Sequence, residues 1–152
     1  MRIVAVDRSA LDPIPPPDVA YTTSMGEMFQ TFAEVGLGHV AIPRKPKAQL
    51  ILTSPPFPLN HKKRYGNKVG EEYVEWLASF APIMRNVLRP NGSIVIELGN
   101  AWEAGRPLMS TLALRALLAF LDRADLQLCQ QFVVHNPARL PSPAQWVTAI
   151  SL

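Results

Sequence analysis

The chain has 152 residues, 48% hydrophobic and 18% charged, which gives room for one ordinary domain with a packed core and excludes wholesale disorder. Its 15 basic and 12 acidic side chains leave a net charge of +3, which permits an anionic partner without demanding one. The single cysteine, Cys129, excludes an internal disulfide framework and a multi-cysteine zinc site, no apolar run reaches the length of a membrane span, and no signal-peptide core precedes Pro17, so a reducing cytoplasm is expected.

Proline is the compositional anomaly: 15 residues, roughly twice average usage. Pro13, Pro15, Pro16 and Pro17 make residues 1–20 a proline-rich arm that cannot be helix or central strand. Tyr21 to Phe29 suits a short strand or hairpin, and Met28 to Val35 a brief helix. Gly36-Leu37-Gly38-His39-Val40-Ala41 fits the dinucleotide pattern G-x-G-x-x-A. That pattern must follow a strand and open a helix. Here it follows a helical segment and meets Pro43 two residues later, so it is rejected.

Gln49 to Thr53 is short, apolar and bounded by Pro46 and Pro55, as in a buried strand of a parallel sheet. Gly70 to Leu88 is the clearest helix: Tyr73, Trp76, Leu77, Phe80, Ile83, Met84, Val87 and Leu88 recur at helical spacing. Glu71 and Glu72 near its start and Arg85 near its end suit the helix dipole. Pro82 predicts a kink near Ala78, whose carbonyl it cannot satisfy. Pro90-Asn91-Gly92 reads as a tight turn. Ser93 to Leu98 is a second buried strand, Leu108 to Leu121 a helix packed on a sheet, and Leu126 to Val134 a third strand. The alternation implies right-handed crossovers and an open, mostly parallel α/β sheet with flanking helices.

In such sheets ligands bind beyond the carboxyl ends of the strands. There, after the first strand, stands Thr53-Ser54-Pro55-Pro56-Phe57. Two prolines fix the backbone, so the Ser54 hydroxyl and the neighbouring carbonyls are rigid hydrogen-bond partners. Phe57 adds a flat apolar face. A rigid acceptor beside an aromatic plate suits an exocyclic amine on a planar base. His39, His61 and His135 show no metal-ligand spacing, and no metal site is assigned. Cys129 reads as a small strand residue.

The five residues resemble the catalytic motif of the amino-group DNA methyltransferases. The serine form with a final aromatic is typical of the cytosine-N4 branch, and the adenine-N6 branch more often carries aspartate in place of serine. The resemblance runs in order from about Tyr21 to Val147. It includes Tyr21-Thr22-Thr23-Ser24, Lys62-Lys63-Arg64-Tyr65-Gly66-Asn67, Glu72-Tyr73-Val74-Glu75-Trp76 and Val87-Leu88-Arg89-Pro90-Asn91-Gly92-Ser93. It closes on Asn136-Pro137-Ala138-Arg139-Leu140-Pro141-Ser142-Pro143-Ala144-Gln145-Trp146-Val147.

The resemblance implies a partial Rossmann-like fold and methyl transfer from S-adenosylmethionine to the N4 amine of a cytosine flipped out of duplex DNA. Restriction–modification is the implied setting. Ser54, Pro55, Pro56 and Phe57 would hold the amine and stack on the base. Lys62, Lys63 and Arg64 would hold phosphates, with Tyr65 and Asn67 in the same loop. Asn136 and Pro137 would frame the pocket. Thr53, Gly99 and Asn100 would approach the cofactor. Direct attack by the amine needs no cysteine nucleophile, which carbon-5 methylation would require.

Two departures shape the expectation. Thr31-Phe32 stands where the family usually has Gly-Asp. The glycine-rich cofactor segment and the DNA-reading segment are absent, so residues 21–147 read as part of a catalytic domain and 148–152 as an atypical tail. An incomplete sheet would expose apolar faces and an edge. The expectation is therefore a fragment that needs a complementing chain or self-association. The alternatives are a non-catalytic remnant binding DNA or a partner, and an adenine-N6 enzyme.

Overall fold

The structure, a computed structural model, describes residues 19–40, 47–58, 67–103, 106 and 108–134. These fall into two compact units divided between Pro46 and Lys47.

The first unit holds an antiparallel hairpin, β1 (Val19–Thr23) and β2 (Gly26–Phe29), and helix α1 (Ala33–Val40). The Thr23 hydroxyl closes the hairpin, accepting from the Met25 and Gly26 amides at 3.1 Å each. The hairpin agrees with the sequence reading, but the helix does not start at Met28. Met28 and Phe29 pair with Tyr21 and Val19 across the hairpin, so helix begins only at Ala33. The rejected glycine pattern lies inside α1 from Gly36 to Val40, with no strand-to-helix turn for a phosphate to occupy.

The second unit contains β3 (Ala48–Thr53), α2 (Gly70–Ser79), α3 (Ala81–Val87), β4 (Leu88–Ile96) and α4 (Leu112–Arg123). β3 and β4 run parallel, with Ile51 opposite Ile94 and Thr53 opposite Ile96. The expected single helix is two. The helix is interrupted at Phe80, whose backbone stays right-handed helical, and Pro82 falls in the first turn of α3, where its missing amide leaves no hydrogen bond unmade. The expected apolar stripe survives the break: Tyr73, Leu77, Phe80, Met84 and Val87 are all buried.

Helix α2 packs on α4, whose inward residues Leu112, Ala116 and Phe120 recur every four positions. Two cross-helix ion pairs, Glu71 with Arg115 and Glu75 with Arg123 (2.5 Å), climb both helices together. The helices therefore run in the same sense, as crossovers of a parallel sheet require. Being exposed, these pairs fix register more than they stabilise. The Arg85 guanidinium donates to the Ala124 carbonyl and so ties α3 to the end of α4.

Pro90-Asn91-Gly92 is not a free turn. It lies within β4, where four residues on β4 stand against one on β3, because Leu88 pairs with Ala48 and Ser93 with Leu50. The Gln49 amide spans this bulge to the Asn91 carbonyl at 2.8 Å, and Arg89 Nε reaches the Lys47 carbonyl at 3.1 Å. Gly92 has no room for a side chain: a Cβ there would lie 2.8 Å from Leu88 Cγ and 3.0 Å from the Gln49 carbonyl oxygen. Gly92→Ala is expected to destabilise the chain by about 1–3 kcal/mol, the usual cost of forcing extra volume into packed structure. Chemical denaturation would measure it, and an unchanged midpoint would show that the bulge yields freely.

The expected third strand, Leu126 to Val134, is irregular in the structure. Its composition suits a strand, but a strand exists only with a hydrogen-bonded neighbour, and β3 and β4 pair with each other alone among the described residues. Leu128, Phe132, Val133 and Val134 are exposed instead. The sheet face bearing Leu50, Leu52 and Val95 is likewise open to solvent, these residues being 56%, 72% and 42% exposed.

One buried polar group stands out in the helix layer. Tyr73 is 1% exposed, and its hydroxyl has no hydrogen-bond partner among the described residues. Burial penalises the phenolate and pushes the Tyr73 pKa from 10.0 up to about 12. The folded state thus holds its proton where the unfolded state has lost it. Stability from this group is complete below pH 10 and is lost progressively from pH 10 towards pH 12. Tyr73→Phe is expected to be neutral or stabilising by about 1 kcal/mol at neutral pH, because it removes an unsatisfied buried hydroxyl. The variant should also flatten the alkaline limb of a stability–pH curve. An alkaline limb of unchanged slope would assign that titration to another group.

Candidate active site

The carboxyl ends of β3 and β4 lie side by side, joined by the Glu97 amide donating to the Thr53 carbonyl at 2.9 Å. Both chains leave the sheet from this point: Ser54–Pro58 from β3, and Glu97–Asn100 from β4. Parallel pairing places these two loops at one edge, where the sequence reading put the site.

The loop after β3 is anchored at its far end. Pro58 is fully buried, Pro55 half-buried, and Ser54 and Pro56 exposed. Pro55, Pro56 and Pro58 each hold φ near a single value, so little backbone freedom remains around Ser54 and Phe57. Phe57 is 39% exposed and lies on Gly99. A Cβ at position 99 would meet the Phe57 Cδ2, Cγ and Cε2 atoms at 2.4, 2.6 and 2.8 Å. The ring thus has one edge seated against Gly99 and stays partly exposed to solvent. An exposed hydroxyl and an open aromatic ring share a stiff loop, which is the equipment for holding a planar ring with a polar edge group.

Among the other residues singled out from sequence, Thr53 and Gly99 are half-buried and Asn100 is exposed, all on the same two strand ends. Asn67 is described apart from its loop. It is buried, 6% exposed, and its side-chain amide donates to the Lys68 carbonyl at 3.3 Å. Lys62, Lys63, Arg64, Tyr65, Asn136 and Pro137 lie outside the described residues. The seating of Phe57 on Gly99 is the feature that sequence reasoning missed. Its one signal was a glycine just past the second strand, level with the aromatic past the first. No helix among the described residues is long and apolar enough to cross a membrane.

Comparisons with known proteins place the chain in a family. A family profile described as DNA methylase matches residues 48–147. The chain is similar to the type II methyltransferase M.PvuII of Proteus hauseri, with 39% identity over 130 residues, covering 84% of this chain and 37% of that protein. It also resembles the solved structure of a PvuII DNA methyltransferase described as cytosine-N4-specific, with a TM-score of 0.68 and 38% identity, covering 88% of this chain and 46% of that one. The chain therefore spans less than half the length of the relatives it matches.

Proposed function

The chain belongs to the DNA methylase family, and from that premise we propose that it carries the methyl-acceptor half of a site that methylates the N4 amine of cytosine in duplex DNA. The observation that carries the reading is the Ser54-Pro55-Pro56-Phe57 loop at the carboxyl end of β3, with the Phe57 ring seated on Gly99. A matched relative is described as cytosine-N4-specific, and the serine form of the motif agrees with that branch.

The amine of a paired cytosine is hidden in the duplex, so the base must leave the stack. The Ser54 hydroxyl and the Pro55 carbonyl accept hydrogen bonds from the amine, and Phe57 stacks on the ring. Accepting those bonds turns the nitrogen lone pair away from conjugation with the ring. The same oxygens would stabilise the positive charge that develops on nitrogen as its bond to the methyl carbon forms and the bond from that carbon to the donor's sulfur breaks. The donor would leave as a neutral thioether and the amine's surplus proton would pass to solvent. The methyl donor for such chemistry is S-adenosylmethionine, whose sulfonium supplies an electrophilic methyl group. Thr53, which precedes Ser54, and Gly99 and Asn100, which follow β4, would approach it. The ring of Phe57 takes up the side of Gly99 towards which a Cβ would point. Lys62, Lys63, Arg64 and Tyr65 would hold DNA phosphates, and Asn136 and Pro137 would border the base.

The part of the relatives that this stretch does not span would complete the site. The open face of Leu50, Leu52 and Val95 supports that need. Restriction–modification is the setting that a type II relative suggests.

The test is transfer of tritium from labelled S-adenosylmethionine to mixed-sequence duplex DNA, followed by chromatography of the digested nucleosides. Label in N4-methylcytosine supports the reading. Label in N6-methyladenine replaces it with the adenine reading. Absence of label, with well-folded chain alone and with the remaining family segments supplied in trans, leaves a non-catalytic remnant.

A further inference from the structure

The contact between Phe57 and Gly99 is closer than any side chain at position 99 would allow. All three ring atoms nearest a Cβ built there fall within 2.8 Å, where ordinary contact begins near 3.4 Å. Phe57 cannot give way through its backbone. Pro55 and Pro56 precede it, and Pro58, which follows, is fully buried. Nor is the clash with the flexible tip of a side chain, since Cγ is the root of the ring. Gly99 has equally little freedom, because the strand ends are pinned two residues earlier by the Glu97 amide on the Thr53 carbonyl. A methyl group at 99 must therefore be met by turning the Phe57 ring away from Gly99, towards its solvent-exposed side.

We propose that Gly99 is a positioning residue: its missing side chain sets the depth at which the Phe57 ring lies, and thereby the plane on which a cytosine can stack beside Ser54. The proposal deepens the function given above and rests on it. Gly99 touches no reacting atom in this role. It acts through Phe57, and the ligand class that feels it is a planar, extrahelical base.

Two measurements on the full chain test this. The first is thermal unfolding of the unaltered chain, Gly99→Ala, Phe57→Ala and the double variant. The expected result is a lower midpoint for Gly99→Ala, with no further fall when the same change is made in the Phe57→Ala background. An equal fall in both backgrounds would overturn the seat, because the strain would then lie elsewhere.

The second uses a duplex carrying a fluorescent cytosine analogue at a mismatched, readily extruded position. Binding of the unaltered chain should change the emission as the analogue stacks on Phe57. Gly99→Ala should keep its affinity for the duplex and lose most of that change, as Phe57→Ala does. A Gly99→Ala protein with the full emission change would overturn the positioning role while leaving base stacking intact. No emission change with the unaltered chain would overturn the base-stacking reading itself, and the proposal with it.

Discussion

Ser54→Ala is expected to lower methyl transfer by roughly 100- to 1,000-fold, the usual loss when one preorganised polar partner of a developing charge is removed. Ser54 is exposed, on a loop stiffened by Pro55, Pro56 and buried Pro58. Removing its hydroxyl should therefore not disturb packing, and the thermal midpoint should stay where it is. On the proposed reading Ser54 would hold the amine rather than the methyl donor, so the loss should fall on kcat more than on the KM for S-adenosylmethionine. Tritium transfer at saturating cofactor reads kcat directly, and a titration of cofactor reads KM. A Ser54→Ala protein that transfers label as fast as the unaltered one would mean that the amine is held by backbone carbonyls alone.

Phe120→Ala should produce the largest loss of stability, about 3–5 kcal/mol. Phe120 is 1% exposed on the face of α4 that meets α2, in a layer that also buries Tyr73 and Leu77. Small domains are held by only about 5–15 kcal/mol in total, so this one truncation would remove a large share. Leu118, two residues earlier on the same helix, is 56% exposed. Leu118→Ala should stay within about 0.5 kcal/mol, as most surface changes do. Urea unfolding of the pair separates burial from helix propensity. Equal losses would mean that both faces of α4 are covered in solution.

Elements whose physics is local were legible in the sequence. Gln49 to Thr53 became β3 almost to the residue, because proline on both sides leaves an apolar run no other boundary. The stripe from Tyr73 to Val87 marked the buried face correctly, since helical spacing determines which side chains share a side. Pro82 predicts a kink near Ala78, and the helix is interrupted there at a single residue, Phe80, whose backbone stays in the right-handed helical region. Periodicity cannot distinguish a bend from a restart that preserves phase.

Elements decided by long-range pairing were misread. Pro90-Asn91-Gly92 has the composition of a turn but takes its shape from Gln49 across the ladder, forty-two residues away from Asn91. Leu126 to Val134 has the composition of a strand and is irregular, with no pairing neighbour among the described residues. The candidate loop was visible because its chemistry lies in five consecutive residues. Its seat on Gly99 was not, because that contact joins the ends of two strands that only folding brings together.

The open face of Leu50, Leu52 and Val95 also governs how this chain should respond to urea. The steepness of an unfolding transition grows with the surface newly exposed on unfolding. Side chains already in solvent add little to that surface, so the transition should be shallower than is usual for a chain of 152 residues. A partner that covers the face in the folded state would add its area to the difference. The slope itself, read before and after mixing with a complementing polypeptide, would therefore report docking without any assay of activity.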